Sequence, residues 1–450
     1  MPMTLSMVDT PSLNPGLDSG LGRHQRTPLL WATYEVAARA ATPFLPLFLK
    51  RRLARGKEDP TRLNEKLGHA SRERPDGDLI WMHGASIGET LALLPLVARL
   101  RSETGASILL TSGTVTSAFI LANRLQEGTF HQFAPLDAPA AIERFLNHWR
   151  PRMVVFAESE IWPNTIRAVK ERRIPMALVN ARLSERSARR WQRFGEASSA
   201  LFGQFDTVVA QSDQDTMRLT RVGARNAKAA GNLKYDAARS GEMLPPSDAE
   251  YEAAKDRKIL LGMSTHPGEE AAIFQAYQSL KDEFPGLLCV SVPRHPERGL
   301  MVKEEAEKLG LNVSTRSKGE QLTQESDVWL FDTVGEMPIA LALADIAILG
   351  KSFNGGGAQN PIEAAFAKVP LIHGPSTHYF DDVIGQLKAA NGVITIGGPN
   401  EIADACATLL RDPEAAETLA VNAWKAAMAL TGATERTLAE LMPLYHGADA

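Results

Sequence analysis

The sequence predicts an α/β protein made of two parallel α/β domains that face each other across a cleft. Three observations lead there. From Asp78 onward, short apolar runs alternate with helical patterns, the signature of parallel β–α units. The rhythm breaks once, between residues 231 and 258, in a polar stretch containing Pro245 and Pro246, and then restarts. Several strand ends carry unusual polar residues, at the sheet edge where open α/β folds bind ligands.

Length and composition agree with this reading. A chain of 450 residues has room for two or three domains with substantial cores. Hydrophobic residues at 44% and charged residues at 23% are those of an ordinary globular protein. A net charge of −4 gives no bulk affinity for nucleic acid, so no nucleic-acid partner is expected. Cys289 and Cys406 are the two cysteines, each among apolar neighbours, which excludes a disulfide framework and a cysteine metal cluster and fits a reducing compartment. The ten histidines show no metal-ligand spacing.

Residues 1–26 are aperiodic and rich in Pro, Ser, Gly and Thr, and read as a disordered lead. No apolar core follows a basic start, so they do not form a secretory signal. Residues 27–57 read as a membrane-associating segment. The run 27–49 is strongly apolar, but it carries Glu35 and Arg39 four apart and Pro43 and Pro46 near its end, which is too broken for a span. The cations Lys50, Arg51, Arg52, Arg55 and Lys57 follow at once. Apolar surface beside clustered cations fits a helix lying on an anionic leaflet. The alternative is a helix packed on its own domain with a solvated basic end.

The first domain, 58–240, has strands expected at 79–82, 107–110, 153–156, 176–179 and 207–210. The first ends in HGASIGE, where Ser86 and Glu89 are spaced as a capping box before an apolar helix. The same Glu89, at the mouth of a cleft, could serve as a general base. Spacing leaves both roles open. The third strand ends in Glu158 and Glu160, two carboxylates one residue apart, with Trp162 and Pro163 stiffening the turn. Arg182 and Ser184 follow the fourth strand, positioned to face the cleft or to cap the next helix.

The second domain, 241–450, has strands expected at 259–263, 287–292, 328–331, 346–349 and 371–373, and helices at its end. The loops after them hold Ser264, Thr265 and His266; Arg294 and His295; Val334, Gly335 and Glu336; and the glycines Gly355–Gly357. In that last loop Asn360 is a natural N-cap, with Pro361 at the first helical position and Glu363 at the third. A glycine loop running into a helix start makes a phosphate seat, although any β–α turn needs a cap. Small residues, hydroxyls and an Arg at one sheet edge suit a nucleotide phosphate bound without metal. Familiar alternatives fail. There is no GxGxxG after a strand, and Gly350-Lys351-Ser352 lacks the P-loop's first glycine because Asp345 stands there. Asp213 and Asp215 have the DxD form of metal-assisted sugar transfer, but Ser212 before them makes a helix start the simpler reading.

These residues fall into a familiar set. The stretches RGKEDPTRLNEKLG, HGASIGE, TSGTVTSA, ESEIWPN, NARLSERS, GNLKYD, STHPGEE, PRHPER, DTVGEM and AQNPIEAA lie in order within about residues 30 to 385. Together they resemble the bacterial transferases of 3-deoxy-D-manno-octulosonic acid (Kdo). The resemblance implies a GT-B fold of two Rossmann-like domains, the acceptor on the first and the nucleotide on the second. It implies inverting transfer of Kdo from CMP-Kdo to a lipid A precursor, lipid IVA, with no metal and no cofactor, at the cytoplasmic face of the inner membrane among anionic lipids. Glu89 is then the catalytic base. Ser86, Gly88, Glu158, Glu160, Arg182 and Lys234 take the substrate-binding positions. Ser264, Arg294, Val334, Gly335, Glu336, Asn360 and Glu363 take the nucleotide-binding positions. The chain departs from the family pattern in two places. Gly357, Ala358, Gln359 and Asn360 stand where the family commonly has Gly-Gly-His-Asn, and Gln359 can hydrogen-bond but cannot carry charge. HGASIGE replaces the commoner HAVSVGE. Two other readings remain: a GT-B enzyme using another nucleotide sugar, and a non-catalytic paralogue that binds lipid A precursors.

Overall fold

Among the described residues, fourteen strands form two seven-stranded sheets whose paired strands run parallel. The computed structural model describes residues 29–240, 246–378 and 380–448, so the expected disordered lead at 1–26 lies outside them. The first sheet contains β1 (Leu79–His83), β2 (Ser107–Ser112), β3 (Thr129–Phe133), β4 (Met153–Ala157), β5 (Met176–Ala181), β6 (Thr207–Ala210) and β7 (Ala227–Ala229), in the order β3-β2-β1-β4-β5-β6-β7. The second contains β8 (Ile259–Thr265), β9 (Leu288–Pro293), β10 (Val313–Thr315), β11 (Val328–Leu330), β12 (Ile346–Leu349), β13 (Leu371–His373) and β14 (Ile394–Thr395), in the order β10-β11-β9-β8-β12-β13-β14. The ten expected strands are all present. The four that sequence reading missed, β3, β7, β10 and β14, are the edge strands.

Central strands such as Leu79–His83 and Met153–Ala157 are buried at every position, because helices cover both faces of the sheet. Each sheet therefore has two apolar layers, one per face. Strand order reverses between β1 and β4 in the first sheet and between β8 and β12 in the second. At such a reversal the connections leave in opposite directions and open a crevice at the carboxyl ends of the strands.

Nine of the helices are labelled here: α1 (Leu29–Ala41), α2 (Leu45–Leu53), α3 (Ile87–Thr104), α4 (Pro139–Trp149), α5 (Pro163–Glu171), α6 (Leu233–Ser240), α7 (Ile362–Phe366), α8 (Pro413–Ala429) and α9 (Ala433–Gly447). Two differ from expectation. The stretch read as a linker from 231 to 258 holds α6, and also a helix at Asp248–Ala254 opened by a full Ser247–Glu250 capping box. The boundary expected at 240/241 also gave the terminal helices to the second domain, but α9 packs on the first. Its Ala433, Leu438, Leu441 and Tyr445 complete one apolar layer of the first sheet.

The N-terminal segment divides its faces between the two alternatives. Trp31 packs on the first domain's core, and Leu49 is buried. Glu35 pairs with Arg39 (2.6 Å) and with Arg167 of α5, so the charges that spoil a membrane span are met by protein. The other face is open: Leu29 is 81% exposed, and Val36 and Phe44 are each 67% exposed. Lys50, Arg51, Arg55 and Lys57 are exposed, whereas Arg52 pairs with buried Glu58 at 2.5 Å. Among the described residues, no helix is long and apolar enough to cross a membrane.

Candidate active site

The crevice of the first sheet opens between the ends of β1 and β4. Beyond His83 the chain turns through Gly84 and Ala85, and Ser86 caps α3, its Oγ accepting the N–H of Glu89 at 3.4 Å. The Glu89 carboxylate receives the Ser86 hydroxyl (2.8 Å) and the Ala85 N–H (2.8 Å), so it does close its own helix start. It is also half-buried, and burial raises its pKa above the ordinary carboxylate value. The hydrogen bonds from Ser86 and Ala85 oppose that rise; the charges of Glu158 and Glu160 add to it. Gly88 is exposed in the same first turn.

Glu158, just beyond β4, has φ 55°, in the left-handed region that non-glycine residues seldom occupy. Its carboxylate pairs with Lys234 Nζ at 2.5 Å. Glu160 receives the Trp162 indole N–H at 2.7 Å and lies 3.5 Å from His83 Nε2. Burial pushes the Glu160 carboxyl up, but the His83 and Trp162 contacts outweigh it and hold the group below its ordinary value. Arg182 is exposed beyond β5, and its backbone oxygen accepts the Ser159 hydroxyl. Asn180, with φ 50°, accepts the Leu233 N–H at 3.0 Å and so fixes the start of α6, which carries Lys234.

The crevice of the second sheet repeats the plan. Ser264 at the end of β8 and Lys351 after β12 have φ 54° and 61°. Their backbones pass so closely that a Cβ on Gly350 would stand 2.2 Å from the Ser264 carbonyl oxygen, which is why glycine begins this loop. Buried Glu269 gathers the N–H groups of His266 (2.9 Å), Lys351 (2.7 Å) and Phe353 (3.2 Å). Gln359 donates its amide N–H to His266 Nε2 at 2.8 Å, and the His266 ring meets His295 edge-on, with centroids 5.9 Å apart.

The nucleotide-binding expectations are brought together here with three corrections. α7 has five residues, with Pro361 in the cap position, so it starts one residue later than the sequence implied and its dipole is small. Asn360 Oδ1 still accepts from its first turn, from the Ile362 N–H at 3.2 Å. Four N–H groups of the glycine loop are already bonded: Lys351 and Phe353 to Glu269, Gly357 to the Ser376 hydroxyl, and Gln359 to the Gly350 carbonyl. The phosphate seat is therefore narrower than a bare glycine loop. Glu336 gives its carboxylate to Arg316, which donates from Nε (2.9 Å) and Nη2 (2.6 Å), so this loop presents a ligand with the exposed Val334 and Gly335 (φ 91°). Arg294 is exposed, and its charge reaches Glu363. Glu363 is half-buried; burial raises its pKa, against the pull of Asn360 and Arg294.

The DxD pair is a helix start. Asp215 is buried and receives the Ser212 hydroxyl at 2.7 Å and the Leu183 N–H at 3.1 Å, while Ser212 Oγ accepts the Asp215 N–H at 3.1 Å. Among the described residues, no group of three or more His, Cys, Asp or Glu is placed to hold a metal ion.

Sequence reading missed two features. His83 was passed over because a lone histidine at the end of an apolar strand reads as core. The other is α6, which packs on both α3, the helix of Glu89, and α7, the helix of Glu363. Its Leu233 belongs to the first domain's core and its Tyr235 packs on the second's. One short helix thus joins the two crevices, and Lys234 stands in its first turn.

Comparison with known proteins agrees with this architecture. A family model described as 3-deoxy-D-manno-octulosonic-acid transferase (kdotransferase) matches residues 61–237. The 3-deoxy-D-manno-octulosonic acid transferase of Bordetella pertussis is 35% identical over 419 residues, 90% of this chain and 97% of that one. A probable mitochondrial 3-deoxy-D-manno-octulosonic acid transferase of Arabidopsis thaliana is 33% identical over 402 residues, 86% of this chain and 90% of that one. The solved structure of a glycosyltransferase from Rickettsia africae ESF-5 superposes with a TM-score of 0.55 at 13% identity, covering 83% of this chain and 99% of that one, a likeness of fold alone. Two parallel α/β domains of GT-B form, and relatives matched over nearly their whole length, place this chain in the 3-deoxy-D-manno-octulosonic acid transferase family of glycosyltransferases.

Proposed function

We propose that the protein transfers Kdo from CMP-Kdo to a lipid A precursor, lipid IVA, in lipopolysaccharide biosynthesis. In this reading the reaction inverts the anomeric centre, needs no metal, and takes place at the cytoplasmic face of the inner membrane. The observation that carries the reading is Glu89. It is a half-buried carboxylate at the crevice of the first domain, and α6 joins its helix to the helix of the nucleotide-side Glu363.

The chemistry follows from the groups present. An acceptor hydroxyl is a weak nucleophile until its proton is taken as it attacks. Glu89 takes that proton. Its raised pKa makes it a better base than an exposed carboxylate. Glu158 and Glu160 stand beside it, each held by a partner, Lys234 and His83. The departing CMP phosphate gains charge as its bond breaks. Arg294 and the unengaged backbone of the glycine loop meet that charge, so no cation is required in this scheme. Glu363 and Asn360 hold the ribose. The exposed apolar face of α1 and α2 lies in the interface, with Lys50, Arg51, Arg55 and Lys57 against anionic headgroups.

The deciding experiment incubates the protein with CMP-Kdo and a lipid A precursor and weighs the products by mass spectrometry, with UDP-sugars as alternative donors and EDTA in a parallel sample. A mass gain of Kdo units from CMP-Kdo, unaffected by EDTA, is expected. Transfer from a UDP-sugar, or no transfer, overturns the reading. Loss of activity in EDTA, restored by Mg²⁺ or Mn²⁺, overturns its metal-free form.

A further inference from the structure

α5 begins with an anomaly. Its cap position is Trp162, whose side chain makes no cap bond, and the Trp162 indole N–H is given to Glu160. The cap comes from elsewhere in the chain. Asp137, in the turn before α4, receives the N–H of Asn164 (3.2 Å), the N–H of Thr165 (2.8 Å) and the Thr165 hydroxyl (2.6 Å) on its carboxylate. Its backbone oxygen takes the Asn164 amide at 2.7 Å. An N-cap carboxylate satisfies first-turn donors and fixes where the helix begins. Asp137 therefore sets the position of α5, and with it the last residue of the 158–162 loop.

The same carboxylate has one more partner. Tyr34 of α1 donates its hydroxyl to Asp137 Oδ2 at 3.0 Å. The next residue, Glu35, reaches α5 directly through Arg167. So α1 grips α5 at two consecutive residues, once through its cap and once through its body. The residues α1 turns away, Leu29, Leu30 and Val36, form the exposed apolar face.

We infer that α1 is a positioning element of the reaction. Tyr34, through Asp137, and Glu35, through Arg167, hold α5 and so fix the loop that presents Glu158, Glu160 and Trp162 beside Glu89. Attachment and loop geometry share one helix, with the bilayer on one face and α5 on the other. The bilayer half of this statement rests on the membrane reading proposed above; the link between α1 and α5 does not.

The test uses the full chain and three variants: Tyr34→Phe, the double variant Tyr34→Phe/Glu35→Gln, and Arg167→Met, which breaks the pair from the α5 side without touching α1. Hydrogen exchange over residues 162–171 needs no substrate. It is expected to quicken in all three variants, because α5 loses a hold on α1: Tyr34 no longer steadies the Asp137 cap, or Glu35 no longer holds Arg167. In the transfer assay, kcat should fall by roughly tenfold in the double variant, the scale of one lost hydrogen bond to a charged group. KM for CMP-Kdo and binding to anionic vesicles should stay as in the parent. A merely structural role would lower the melting temperature and the yield of folded protein without separating kcat from the donor KM. Exchange that is unchanged in 162–171, kcat equal to the parent's, or vesicle binding lost in step with kcat overturns the inference. A kcat loss confined to the α1 variants and absent in Arg167→Met overturns it as well. If the parent shows no Kdo transfer at all, the functional reading fails, and the exchange result still decides the link.

Discussion

Glu89→Gln separates the two roles that this residue holds. The substitution keeps the shape of the side chain and one of its two acceptor oxygens. The retained oxygen can still receive the Ala85 N–H, and the new amide N–H can donate to Ser86 Oγ, replacing the bond that Ser86 now makes to Oε1. Two charge-assisted bonds become neutral ones, which costs about 1 kcal/mol of stability. As a cap alone, Glu89 would cost the enzyme no more than that, and kcat would stay within about threefold of the parent, a barrier change of about 0.65 kcal/mol. As the general base, its loss should slow transfer by about 10²–10⁴-fold, a barrier rise of about 2.7–5.4 kcal/mol. The two outcomes differ far beyond error. The assay is single-turnover transfer at saturating CMP-Kdo, followed by mass spectrometry, with CMP affinity measured by calorimetry and the melting temperature recorded alongside. Slow transfer with unchanged CMP affinity and a small melting shift is expected. Near-parent turnover with the same small melting shift would refute the base and leave Glu89 as a cap.

The remaining predictions concern the groups around it. The acid limb of the rate profile should lie above the ordinary carboxylate range, with activity lost as pH falls and Glu89 takes up its proton; Glu158→Gln removes a charge that raises that pKa, so the limb should move to lower pH, and a limb that stays put or moves up contradicts the assignment. Arg294→Ala and Glu363→Ala should each weaken CMP binding in calorimetry by about 1.5–3 kcal/mol, the range for a lost charged hydrogen bond, whereas Glu336→Gln should leave CMP binding intact and lower the melting temperature, because its carboxylate serves Arg316. Neutralising Lys50, Arg51, Arg55 and Lys57 together should weaken binding to anionic vesicles by about 1 kcal/mol per cation and flatten its salt dependence. Arg52 must be left in place, because it pairs with buried Glu58. Vesicle binding equal to the parent's would remove the electrostatic half of the membrane reading.

The central strands were legible because they are apolar at every position, a pattern that a strand buried on both faces must have. The edge strands were not: Ala227–Ala229 is partly exposed at every residue and has no apolar run to detect. At the site, the positions of Glu89, Glu158 and Glu160 could be read from turn chemistry, because strand ends and helix starts are local. Their partners could not. His83 is 77 residues from Glu160 along the chain, and Lys234 is 76 from Glu158. The pairing of Glu336 with Arg316, twenty residues earlier, leaves no local trace either. The start of α7 was placed one residue early, because Asn360 and Pro361 spell a cap and a first helical position, and nothing local shows that Pro361 itself takes the cap.

The return of α9 to the first domain has a consequence for the order of events during synthesis. Ala433, Leu438, Leu441 and Tyr445 fill one apolar layer of the first sheet, and Tyr445 is tied down by its hydroxyl to Asp78 (2.8 Å) and by its carbonyl to Arg152. The rest of that layer has left the ribosome by Leu233. The roughly 200 residues that follow take about 10–40 s to make at about 5–20 residues per second. For that time the first domain has all its strands and lacks part of the cover of one face. Nascent chains of this protein should therefore hold a chaperone until α9 is released, and loss of the fifteen residues of α9 should leave the first domain rather than the second unable to finish folding.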